Sequence, residues 1–61
     1  MSAVGQWLTD INPHYSVYVE NFDKQVQRVE DLHLVTDADL VELFDVQIAF
    51  HRRMILNRLN G

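Results

Sequence analysis

VQIAFHRRMILNRL, residues 46–59, is the stretch whose reading decides the fold. Ile48, Ile55, Leu56 and Leu59 recur at helical spacing, with Arg52 on the same side of the turn, so the segment is predicted to be an amphipathic helix. Arg52, Arg53, Met54, Leu56 and Arg58 favour helix in its body, and Asn60-Gly61 supplies a stop. Its opening, Ile48-Ala49-Phe50-His51-Arg52-Arg53, sets a large ring beside dense positive charge, at the end where the helix dipole is already positive. A helix laid out against its dipole suits a partner that brings carboxylates. That opening turn is the first place to look for function.

The charge on the rest of the chain points the same way. The net charge is −4, but residues 1–45 carry nine acidic and two basic side chains, whereas residues 46–61 carry three arginines and no acid. A small fold with this split is an electrical dipole, and such molecules attract their own copies in series. The plainer alternative is that the charges segregate by chance on solvated faces.

With 61 residues the chain is read as one domain, residues 1–61, with a thin stability margin. It has no cysteine, so helix packing rather than disulfides or thiolate metal sites must supply the core. That composition fits an intracellular setting, the cytoplasm first and the nucleus second. No apolar run exceeds three residues, which leaves no membrane span.

Four shorter helices are predicted ahead of the last one. Ser2 caps the first, with Val4, Trp7, Leu8 and Ile11 as its inward stripe and Trp7 read as core. Asn12-Pro13 starts the second, which carries Tyr15, Tyr18, Val19 and Phe22 at i, i+3, i+4 and i+7. Val26, Val29 and Leu32 fit a short third helix. Lys24 and Arg28 form a like-charge i, i+4 pair facing water. His33, with no second ligand at useful spacing, is read as structural. Thr36-Asp37-Ala38-Asp39 has the form of a capping box, opening a fourth helix anchored by Leu40, Leu43 and Phe44. No strand signal is present. The expected fold is all-α: five helices joined by tight turns, the C-terminal one longer.

In this order and spacing the residues resemble a sterile alpha motif (SAM) domain. Val4, Trp7 and Leu8 match the family's apolar-x-x-Trp-Leu start, and Tyr18 and Phe22 match its second-helix aromatics. Leu32, Thr36, Asp39 and Leu40 match its Leu and Thr-x-x-Asp-Leu. Val46, His51, Arg52, Ile55 and Leu56 match its closing Ile and His-Arg-x-x-Ile-Leu. Three departures stand out. The first inter-helix turn is two residues longer, Asp45 replaces a glycine, and Phe50 replaces the glycine before His-Arg, with small Ala49 one place earlier. Similar spacing occurs in the second SAM of the tandem, oligomerising SAM-TIR adaptors.

The resemblance implies an interaction module and no enzyme. The expected partner is another SAM domain, a copy or a different one, in a weak, concentration-dependent oligomer joined head to tail. Carried over, the end-helix face is Ile48, Ala49, Phe50, His51, Arg52 and Arg53, and the often acidic mid-loop face draws on Glu30, Asp31, Asp37, Asp39 and Glu42. From the residues alone, Phe50 is either an exposed anchor or a core residue beside Trp7. Arg52 either pairs with a partner or lies over the core. His51 either contacts a partner or bonds a neighbouring carbonyl. RNA-hairpin binding is the alternative function, but nine acids oppose a phosphate footprint built from Lys24, Arg28 and three arginines. No nucleophile motif, metal spacing or glycine-rich phosphate loop is present, so no catalytic residue, cofactor or metal is expected.

Overall fold

The computed structural model describes residues 2–61. Helix α1 (Ala3–Ile11) begins where Ser2 Oγ accepts the Gly5 amide at 2.9 Å, and the same hydroxyl donates to Asp23 Oδ1 at 2.6 Å. One serine thus caps the first helix and ties it to the second. Asn12 leaves the helix in an extended conformation, its side chain accepts the His14 amide, and Pro13 opens a 3-10 helix (Pro13–Tyr18) that runs directly into α2 (Val19–Gln25). The longer first connection is therefore wound as helix. A second 3-10 helix (Val29–Leu34), α3 (Asp37–Glu42) and the longest element, α4 (Ala49–Asn60), complete the chain. Among the described residues there is no strand, and the five-segment all-α bundle expected from the sequence is the architecture found.

Every segment sends residues to one core: Val4 and Leu8 from α1, Tyr15 and Tyr18, Phe22, Leu32, Leu40, then Phe44 and Val46 after α3, and Ile55 from α4. Phe22 and Phe44 are the largest fully buried side chains, and their rings stack at 4.3 Å between centroids. Each such ring contributes roughly 1.5–3 kcal/mol of burial, and the stack adds about 0.5–1.5 kcal/mol. Trp7 is half-buried at the edge of this core.

Four details depart from the sequence reading. Leu43, expected as an anchor, is 50% exposed, because α3 ends at Glu42 and the chain turns away there, with Phe44 and Val46 taking the core positions instead. Ile48, placed on the apolar stripe of the last helix, is exposed, because it sits in extended backbone before α4 while Val46 takes the core position. The third segment starts at Val29, and Val26 lies in extended backbone before it. Lys24 and Arg28 share no helix, since α2 stops at Gln25; each has an acid beside it, Glu20 at 3.8 Å and Glu30 at 2.8 Å.

The turn out of α3 explains one departure from the family pattern. Asp45, where the family has glycine, adopts φ 57°. The left-handed turn lets the Val46 amide donate to the Leu40 carbonyl at 2.8 Å and drops Val46 into the core. Gln47 Nε2 donates to Asp45 Oδ1 and to the Val41 carbonyl, closing the end of α3. Aspartate tolerates this backbone at a cost that glycine does not carry. Asp45→Gly is therefore expected to raise stability by about 0.5–1 kcal/mol, a shift of several degrees in Tm for a domain of this size. Asp45→Val is expected to lower it. Thermal unfolding followed by circular dichroism measures both.

Candidate functional site

The residues that open α4 divide into those the fold uses and those it leaves free. Ile48 precedes the helix with no side chain to cap it, and the first turn contains no acid. The positive end of the helix dipole is thus uncompensated by any side chain of that turn. Phe50, which the sequence left open between anchor and core, is 60% exposed and not core.

His51 and Arg52 are engaged within the chain. His51 Nδ1 shares a 2.6 Å hydrogen bond with the Tyr18 hydroxyl, and its ring packs on Tyr15 at 4.9 Å between centroids. Burial pushes the Tyr18 hydroxyl above the ordinary phenol value, and Tyr15 and Asp45 add to the rise. Tyr18 therefore keeps its proton across the neutral range. Arg52, with a side chain only 16% exposed, donates from Nε to Asp37 Oδ1 at 3.0 Å. Its Nη1 donates to the carbonyls of Val46 at 2.9 Å and Gln47 at 3.0 Å. One guanidinium holds the start of α3, the turn after it and the start of α4.

Ala49 is exposed. So is Arg53, which has no ion pair or hydrogen bond among the described residues. Phe50 and Arg53 stand three residues apart on one helix and are neighbours on its surface. The free part of the predicted end-helix face is therefore Ile48, Ala49, Phe50 and Arg53.

The predicted acidic face divides in the same way. Glu30 is exposed, and the Arg28 guanidinium holds its carboxyl below the usual carboxylate range. Asp37 belongs to Arg52. Asp39 accepts the Thr36 amide through Oδ2, while its own amide donates to Thr36 Oγ1, so the capping box forms as expected. Asp31 and Glu42 are exposed and without a partner among the described residues.

Asp31 and Asp39 come together at an open groove of about 330 Å³, whose walls include Val26, Leu34, Val35 and Leu43. Leu34 and Leu43 are surface residues that the sequence reading did not place at the site. No local signal marked them: positions 40, 43 and 44 share one helical face by spacing, and only the end of α3 at Glu42 takes Leu43 off it. His33 Nδ1 bonds the Glu30 carbonyl, a structural role. Among the described residues no cluster of three or more histidines or acids could hold a metal ion, and no helix is long and apolar enough to cross a membrane.

A family model described as SAM domain (sterile alpha motif) matches residues 1–61. Comparisons with curated proteins and with solved structures returned no match.

Because Arg52 serves two carbonyls as well as a carboxylate, its loss should exceed that of its acidic partner. Arg52→Ala is expected to destabilise the fold by about 1–2 kcal/mol in urea denaturation. Asp37→Ala, whose carboxylate is largely in water, should cost less than about 1 kcal/mol. Equal losses would mean that the two carbonyl bonds contribute nothing.

Proposed function

The chain belongs to the sterile alpha motif family, whose domains are interaction modules that typically bind other SAM domains, and we propose that this one associates head to tail with copies of itself. The face at the start of α4 meets the acidic face formed around the 29–34 helix and α3 of the next molecule. The observation that carries this reading is the free pair at the start of α4: Phe50 stands 60% exposed beside an unpaired Arg53. An exposed aromatic ring flanked by arginine is the usual composition of an interface centre.

The charges support the same orientation. Two basic ends repel, as do two acidic ones, so contact between unlike faces is favoured. A contact between two different patches is heterologous and generates rings or open chains. Several of the predicted face residues contribute indirectly: His51 and Arg52 hold the opening turn in place, and Asp37 and Asp39 hold the start of α3.

An RNA-hairpin interface has less support. Lys24, Arg28 and Arg52 each lie within ion-pair distance of an acid of the same chain, which leaves Arg53 and Arg58 among the described residues. Two free cations are a small footprint against nine acids.

Sedimentation equilibrium tests the proposal. The weight-average mass is expected to rise with concentration and to fall as salt is raised from about 50 mM to about 500 mM, where surface charges are screened. Phe50→Glu should remain at the mass of one chain, since loss of an interface anchor removes roughly 2 kcal/mol or more. Wild-type chain that stays single at high concentration and low salt would overturn self-association.

A further inference from the structure

Asparagine followed by glycine is a reactive pair as well as a helix stop. The chain has asparagine at positions 12, 21, 57 and 60, and the residue after each decides whether the main chain can attack its side chain. The attacking atom is the backbone nitrogen of that next residue. Asn12 precedes Pro13, whose nitrogen carries no proton to lose. Asn21 precedes the fully buried Phe22 inside α2, and its amide donates to the Phe44 carbonyl at 3.2 Å. Asn57 precedes Arg58 inside α4. At both, helical backbone holds the next nitrogen away from the side-chain carbonyl carbon.

Asn60 is placed differently. It is the last residue of α4 and exposed, and Gly61 lies outside the helix. Helix ends are the first part of a fold to open. Glycine, with no Cβ, neither blocks the approach nor restricts the backbone that must bend to make it.

We propose that Asn60 is a site of spontaneous deamidation, with water as the only co-reactant. The Gly61 backbone nitrogen gives up its proton and bonds to Asn60 Cγ. The Cγ–Nδ2 bond breaks and ammonia leaves with that proton, closing a cyclic imide. Water then adds to one imide carbonyl, breaks its bond to the Gly61 nitrogen and returns a proton to that nitrogen. Opening at Cγ leaves aspartate. Opening at the former backbone carbonyl leaves isoaspartate, in which the main chain runs through the side-chain carbons. One amide and one water are consumed, one carboxylic acid and one ammonia are formed, and nothing is oxidised or reduced.

The product alters α4 twice over. Residues 46–61 carry three arginines and no acid, so a carboxylate at position 60 is the first negative charge in that part of the chain. It arises where the helix dipole is already negative, which weakens the last turn. Asn60, Asn57 and Arg53 line one open cleft along α4, so the new charge also lies on the face that carries Arg53. The inference stands apart from the association proposed above, since it holds for a chain that never meets a partner.

Peptide mapping by mass spectrometry tests it, on chain kept folded in mildly alkaline buffer at body temperature. Asn60 is expected to convert at least about tenfold faster than Asn21 or Asn57, which react only when their helices open. Methyl transfer by an isoaspartyl methyltransferase should label position 60, and the rate should rise with pH because base removes the Gly61 amide proton. Gly61→Ala is expected to slow conversion several-fold. Its Cβ meets the Asn57 carbonyl at 3.1 Å, a contact that a small shift at the helix end relieves. Asn60→Gln keeps the space of an amide and should stay unmodified over the same interval, whereas Asn60→Asp should melt at a lower temperature than the parent chain.

An Asn60 that stays intact in the folded chain but converts in urea would overturn the proposal, because α4 would then protect its own end. Conversion of Asn21 or Asn57 at an equal rate would overturn it too, as would aspartate formed without isoaspartate.

Discussion

Arg52 donates to Asp37, to the Val46 carbonyl and to the Gln47 carbonyl, and from that one guanidinium the geometry of the turn into α4 follows. The turn from α3 to α4 has no capping side chain at Ile48 and passes through a left-handed Asp45. Its carbonyls would otherwise point toward water with little to fix them. Arginine suits the position because its planar fork carries several donors at once, which a lysine ammonium on a flexible stem cannot arrange in the same way. With the turn held there, Phe50, two residues before Arg52, and Arg53, the residue after it, are exposed.

The bundle behind this turn is small, and its parts do double duty. Ser2 caps α1 and also bonds α2; Asn12 ends one helix and caps the next. His51 sits in the first turn of α4, bonds Tyr18 and packs on Tyr15, so the start of α4 is anchored to the second segment as well as to α3. A chain of this length has few residues to bury, and the core is correspondingly drawn from every segment. The face at the start of α4 is thereby pre-organised.

Charge acts at two levels in this molecule. Across the chain, the separation of nine acids from the three arginines of the last sixteen residues gives opposite signs to opposite ends of the sequence. Locally, pairing removes some of those charges from use. Arg52 and Asp37 belong nominally to the basic and the acidic face, yet they bond each other, and Asp39 is occupied at its own helix start. The charges left unpaired are a smaller set than the sequence total. Exposed apolar side chains, Phe50, Leu34 and Leu43 among them, complete that surface.

The sequence by itself determined the all-α architecture, the family and the caps. Ser2, Asn12-Pro13 and Thr36-x-x-Asp39 act through bonds to amides two or three residues away, and helical periodicity is a local property of the chain. It also set the net charge of each part of the chain, nine acids before residue 46 and three arginines with no acid after it.

Tertiary structure alone decided which of the candidate residues are free. Phe50 was equally compatible with core and surface until the Phe22–Phe44 stack was seen to fill the interior without it. The Arg52–Asp37 pair spans fifteen residues, and the Tyr18–His51 bond thirty-three. The groove joins the end of α2, the 29–34 helix and α3, so its leucines become neighbours only in three dimensions. Periodicity specifies which side of a helix is apolar. Which partner each side meets is a long-range contact that no local pattern encodes.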